Sequence, residues 1–292
     1  METTIFSILD EEKAGHGAIG AVGYRLDQAG SHDSLLHDFE YLIMVVHHGL
    51  EETEQRIEHG ISGESAYQLL HVGSREIEQG ILIGDQRDSV KYFLHGEIIW
   101  DIEGKLTAFR SYINEFDEPI RERRKLKEFA KFIKVYGEAK RFTAEKDLLD
   151  AYYCVLQALK HYARLELIEE GILPESRVWE RVRPLNSVVY KLFDELTENS
   201  ETLEQRIQLV LLACEFTLAS KMADCCDLLL RILGSRKEAW SIQELSLIPE
   251  LEHVKDELPL LLRKLVSRSL AQEIPKALKE GPGESRELRY RV

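Results

Sequence analysis

Two hydrophobic rhythms divide the chain near residue 105. Before that point the apolar residues come in short runs bounded by Gly, Ser and Asp, the mark of strands and turns. After it they recur every three or four positions over long stretches, which is the helical period. Residues 18–26 form a Gly-containing apolar strand, and residues 39–46 a second, more strongly apolar one that stops at His47. Residues 54–61 and 66–72 read as a hairpin, because Ser62-Gly63-Glu64-Ser65 between them is a polar turn carrying a Gly. A short helix capped by Ser74 is expected over 75–81, another over about 88–94, and a short strand over 96–101 closing at Gly104. A small mixed sheet with a few helices accounts for this part.

From Leu106 onward helices follow one another. Pro119 suits the first turn of a helix reaching about Phe142. Its Arg121, Arg123, Arg124, Lys125, Lys127, Lys131 and Lys134 make it the most basic element of the chain. Thr143-Ala144-Glu145-Lys146 is a capping sequence for the next helix, which stops at Gly171. Another opens at Ser176 and runs through Leu196, and two more cover 201–218 and 223–233. Short connections between long amphipathic helices favour an antiparallel bundle. In the tail, residues 241–245 and 258–270 look helical, and 286–292 alternates like a strand after the turn Gly281-Pro282-Gly283. Helix, helix and β-ribbon fit a winged helix-turn-helix. The expected architecture is α+β, divided into 1–117, 118–234 and 235–292.

Composition narrows the partners. At 292 residues with 44% hydrophobic content the chain can build two or three cores. A net charge of −14 argues against broad attraction to nucleic acid, since phosphate binding needs clustered Lys and Arg. The tail departs from this balance through Arg263, Lys264, Arg268, Lys276, Lys279, Arg286, Arg289 and Arg291, so DNA or a protein is the candidate partner there. Cys154, Cys214, Cys225 and Cys226 lie in apolar helical segments without C-x-x-C spacing, which points to buried thiols in a reducing compartment. No stretch approaches the roughly 20 apolar residues that span a bilayer, and the first residues lack the pattern of a signal peptide. A cytoplasmic protein without a membrane partner is expected.

The candidate chemistry begins at Asp38-Phe39-Glu40, where a carboxylate pair meets the apolar strand. Acids one residue apart on a strand share a face, and such like charges are strained without a cation between them, so the pair suits Mg²⁺. Gly30-Ser31 upstream could offer backbone N–H groups to a phosphate. Two solvated acids at the start of a strand fit the same pattern. A third carboxylate would come from Glu97, Asp101, Glu145 or Asp150, of which Asp101 is assigned the catalytic place; each also fits a surface or helix-start acid. Arg25 and Arg87 could meet phosphate charge. His161 and Arg164, neighbours at i and i+3, could bind an anionic substrate or form the polar rim of a bundle helix with Tyr162 half buried.

Three passages are similar to the nucleotidyltransferase-like proteins of the YgxA type, a bacterial family within the polymerase-β-like superfamily. They are the strand with Asp38-Phe39-Glu40, the block from Gly84-Asp85-Gln86-Arg87 to His95-Gly96-Glu97-Ile98-Ile99-Trp100-Asp101, and residues 163–171 with Val178-Trp179 and Val189-Tyr190-Lys191-Leu192. The resemblance covers nearly the whole chain. It implies a nucleotidyltransferase fold, a helical substrate-domain-like bundle and a C-terminal helix-turn-helix. In an active member, Asp38 and Glu40 would hold Mg²⁺, Gly30 and Ser31 would cradle a nucleoside triphosphate, and NMP would pass to a small-molecule or protein hydroxyl. The sequence departs from the active pattern in three places. Gly30-Ser31 does not end the first strand directly, His32-Asp33 stands where Arg-Gly is usual, and the second acid is Glu instead of Asp. The alternative implied by these departures is a silent relative that binds a nucleotide, DNA or a protein as a regulator.

Overall fold

The structure, a computed structural model, describes residues 17–25, 39–49, 56–62, 65–84, 88–175, 177–185, 187–277 and 286–292. The chain forms two compact units, 1–117 and 118–292.

The first unit is built on strands β1 (Ala18–Arg25), β2 (Tyr41–His47), β3 (Arg56–Ser62) and β4 (Ser65–Gly73), helices α1 (Ser74–Ile83) and α2 (Asp88–His95), strand β5 (Glu97–Asp101) and helix α3 (Lys105–Glu115). The sheet order is β3-β4-β2-β1-β5. β2 lies at its centre, antiparallel to β1 and parallel to β4, and is buried from Leu42 to His47, as expected of a strand covered on both faces. Ala18, Ala21, Ile43, Val45 and Leu69 pack together with Tyr67, Ile99 and Trp100. On the opposite face, Tyr92 of α2 sets its ring 4.9 Å from that of Tyr24. Glycine is required at two contacts. A Cβ on Gly20 would meet the Trp100 carbonyl at 2.6 Å and Leu106 of α3 at 2.8 Å, and one on Gly96 would meet Val22 at 2.3 Å. The predicted hairpin and the helix over 88–94 are present, and the first strand ends at Arg25.

The second unit opens with a long antiparallel pair, α4 (Glu118–Glu145) and α5 (Leu148–Glu169). Phe132 and Tyr162 stack across it with centroids 5.9 Å apart. Thr143 does not cap α5. It lies inside α4 and donates its hydroxyl to the Ala139 carbonyl at 2.7 Å, while the chain reverses at Lys146 (φ 67°) and Asp147. The single helix expected over 176–196 is two, α6 (Val178–Val182) and α7 (Val188–Glu198), with a 3₁₀ turn at Arg183–Leu185 between them. Pro184 accounts for the break, since it has no N–H to donate to a continuing α-helix; Arg183 before it keeps helical backbone. α8 (Leu203–Cys225) starts at a capping box formed by Thr202 and Gln205 and continues past Leu218, the expected end, before α9 (Asp227–Leu233).

In the tail, α10 (Ile242–Ser246) starts from a second capping box, Ser241 with Glu244. A 3₁₀ stretch over Pro249–Glu257, α11 (Leu258–Ser267) and the hairpin of β6 (Gln272–Ala277) and β7 (Arg286–Arg291) follow. Trp240 and Tyr290 exchange backbone hydrogen bonds of 2.8 Å in each direction. Leu245, Leu251, Val254, Leu258, Leu262, Leu265 and Tyr290 share one core with Phe129, Phe132, Val155, Leu159 and Cys214. The tail is therefore continuous with the bundle and has no core of its own. Among the described residues no helix is long and apolar enough to cross a membrane.

Candidate active site

β1 ends with Arg25 paired to Tyr41, the first residue of β2, so the connection carrying Gly30, Ser31 and Asp38 leaves and rejoins the sheet at one edge. Gly30, Ser31 and Asp38 themselves lie outside the described residues, as does Arg87. Phe39 and Glu40 come just ahead of β2, and the neighbouring strands fix both. The Glu40 N–H donates to the Ala66 carbonyl at 2.9 Å, and its carboxylate Oε2 accepts from the Ser65 hydroxyl at 2.7 Å. Phe39 turns its ring onto His59 of β3 at 4.5 Å, and the Gln68 amide lies 3.2 Å from His59 Nε2. Glu40 is half-buried and in no ion pair among the described residues. A carboxylate oxygen at this position is the ligand type that a hard cation takes.

Asp101 is not brought to this edge. It closes β5, where its partner Gly20 also pairs with Val46, six residues along β2 from Glu40 and so about 20 Å away along the strands. Its carboxylate is occupied at the start of α3, accepting from the Leu106 N–H at 2.9 Å, the Thr107 N–H at 3.1 Å and the Thr107 hydroxyl at 2.6 Å. Burial works to raise its pKa, but these three donors prevail and hold it below the usual carboxylate range. Glu97 lies nearer the Glu40 edge, paired to Gly23 opposite Ile43, and is exposed. Glu145 and Asp150 are exposed acids flanking the turn between α4 and α5.

In the helical unit His161 and Arg164 form no polar rim; they converge on a carboxylate buried between α4 and α5. Glu128 is fully buried. Arg124, one turn earlier on α4, places Nη2 2.8 Å from Oε2; His161 Nδ1 is 2.6 Å and Arg164 Nη1 3.3 Å from Oε1. Burial alone would raise the pKa of Glu128, but Arg124, His161 and Arg164 hold it well below the usual range. Burial lowers the pKa of His161 even against the pull of Glu128, so the imidazole is neutral near pH 7 and donates Nδ1–H to the carboxylate. Lys131 is drawn down to about 8, first by burial and then by repulsion from Arg124, Lys127 and Arg164. Sequence reading placed His161 and Arg164 on one helix face but missed Glu128. The available signal was the Arg124/Glu128 spacing of i, i+4 inside an otherwise basic helix.

The cysteines are buried thiols, and burial pushes Cys214 and Cys226 up to about 12, so none is poised as a nucleophile. Glu169, Asp224 and Cys225 have metal-ligand spacing, but Lys221 binds Glu169, Lys125 binds Asp224, and burial holds the Cys225 thiol protonated.

A mixed sheet that bears an acid at the start of its central strand, followed by a helical bundle, is a nucleotidyltransferase-like architecture, and comparison with known proteins bears this out. Residues 1–123 match the nucleotidyltransferase-like family and residues 122–221 the YgxA-like substrate binding domain. The crystal structure of a nucleotidyltransferase-like protein from Exiguobacterium sibiricum 255-15 superposes with a TM-score of 0.86 at 27% identity, covering 100% of this chain and 99% of that one. The uncharacterized protein YgxA of Bacillus subtilis (strain 168) is 32% identical over 263 residues, 89% of this chain and 87% of that protein. The chain belongs to the YgxA family.

Proposed function

We propose that the protein transfers a nucleoside monophosphate from a nucleoside triphosphate to a hydroxyl of a small molecule or protein. The observation that supports this is the common edge at which β1 ends and β2 begins. The Gly30-Ser31 and Asp38-Phe39-Glu40 segment is strung between the two paired ends, and Glu40 is steered by Ser65 but in no ion pair among the described residues. Asp38 and Glu40 would hold Mg²⁺, which when bound neutralises triphosphate charge. The chain's own part is positional. Ser65 orients the Glu40 carboxylate, the Ala66 carbonyl fixes its backbone, and the N–H groups at Gly30-Ser31 would meet the phosphates. A cytoplasmic location accords with the triphosphate substrate. The test is incubation with labelled nucleoside triphosphates and Mg²⁺, comparing wild type with Asp38→Asn and Glu40→Gln. Label transfer by the wild type and its loss in both variants is the expected result; equal, undetectable transfer by all three would overturn it.

A second reading has its own support in the tail. The Trp240–Tyr290 bridge joins the β6–β7 hairpin to the segment ahead of α10, and Arg263, Lys264 and Arg268 are exposed along α11 and at its C-terminal end. On this reading the nucleotidyltransferase fold is silent and the tail recruits DNA or a protein. Duplex binding with a steep salt dependence would favour it.

A further inference from the structure

The charged cluster between α4 and α5 keeps a buried donor that its own carboxylate does not satisfy. Glu128 accepts from both His161 and Arg164 and pairs with Arg124, so its oxygens anchor groups from two helices. The Arg164 side chain is 8% exposed and spends Nη1 on Glu128, yet its Nε is buried and makes no hydrogen bond. A buried N–H of a charged group without an acceptor is costly, and the Nε edge of a guanidinium can grip an oxyanion through two parallel bonds. The surrounding cations also crowd one another. Burial first, then repulsion from Arg164, lowers the Lys160 ammonium, and Lys131 is lowered in the same way. An ion-pair network that served only to staple two helices would gain nothing from this crowding or from a donor left over.

We propose that this cluster is an oxyanion-binding site, in which Glu128 orients Arg124, His161 and Arg164 and the Nε edge of Arg164 receives a phosphate or carboxylate group. The ligand class is a small molecule with a phosphate monoester or a carboxylate. That this molecule is the acceptor of nucleotidyl transfer rests on the reading above; anion binding itself does not.

The test is equilibrium binding of inorganic phosphate and of succinate to the full chain, with chloride holding ionic strength constant. Saturable binding is expected, weakened about tenfold or more by Arg164→Lys, which keeps the charge but loses the Nε edge, and about threefold by Lys160→Met at the partly exposed rim. Preference for phosphate or for succinate identifies which group the natural ligand carries, and either supports the site. No saturable binding of either anion below about 10 mM, or unchanged affinity in Arg164→Lys, would overturn the proposal. Should Arg164→Lys fail to fold, Lys160→Met decides, and wild-type affinity in that variant overturns it. Because no nucleotide is present, a negative result here leaves the transferase assay untouched.

Discussion

Glu128 shows how much a single buried side chain can carry. Glu128→Gln preserves shape but takes the shared counter-charge from Arg124 and Arg164, which are buried beside it. Breaking a buried ion pair from one side costs about 3–5 kcal/mol, and urea unfolding of the full chain should show a loss of that size. The folded-state pKa lies well below the ordinary carboxyl value of 4.5, so this stabilisation is complete above about 4.5 and is lost as pH falls from there toward the folded value. His253 acts over a different window. It is buried, its Nε2–H donates to the Arg123 carbonyl at 2.7 Å, and burial followed by the charges of Arg123, Lys127 and Arg124 lowers its pKa from 6.5 to about 4. The unfolded chain therefore binds the proton first. Stability is full above about pH 6.5 and declines by up to roughly 3 kcal/mol as pH falls toward 4. His253→Asn, which keeps an amide N–H for Arg123, should flatten the melting temperature between those pH values; an unchanged slope would assign the decline to other groups.

Among the elements, helix α8 has a fully specified start, since the Thr202 hydroxyl accepts from the Gln205 N–H while the Gln205 side chain accepts from the Thr202 N–H. Thr202→Ala should cost about 1 kcal/mol in chemical denaturation, and Thr202→Asn should restore most of it. The contrast with Thr143 explains which parts of the fold are legible in the sequence. Both are Thr followed three residues later by a polar residue, but Thr143 hydrogen-bonds backward to Ala139 and stays helical. A capping motif is read correctly only where the preceding chain is free to leave the helix. Strand runs are easier, because alternation and apolar blocks set side-chain faces locally, and β1, β2, β4 and β5 all sit within two residues of their expected positions. Pairing is not local. The parallel union of β2 and β4, and with it the Ser65–Glu40 hydrogen bond, joins residues 25 apart in sequence with no periodic signal between them. The position of Asp101 is illegible for the same reason: it is one of four acids that are candidates for a third carboxylate, and only the sheet order places it at the opposite end of β2 from Glu40.

At the scale of the whole molecule, the continuity of tail and bundle decides how the C-terminal segment can be studied. An appended domain with its own core could be removed cleanly. Here Leu245, Leu251, Val254, Leu258, Leu261, Leu262 and Leu265, each essentially inaccessible, pack in the core that also holds Leu229 and Leu233 of α9 and Phe129 of α4. Burying such side chains contributes about 1.5–3 kcal/mol apiece, so seven of them together are comparable to or larger than the roughly 5–15 kcal/mol by which whole domains are usually stable. A chain ending at residue 239 should therefore be insoluble or lose its cooperative melt, and a truncated protein that melts like wild type would establish an independent tail. A truncation that unfolds the bundle cannot report on nucleic-acid binding. Combined Arg263→Glu, Lys264→Glu and Arg268→Glu substitutions at exposed positions of α11 and its C-terminal end can, because they reverse the local charge without opening the core. If the tail contacts duplex DNA, that variant should melt within a few degrees of wild type yet lose the salt-dependent binding.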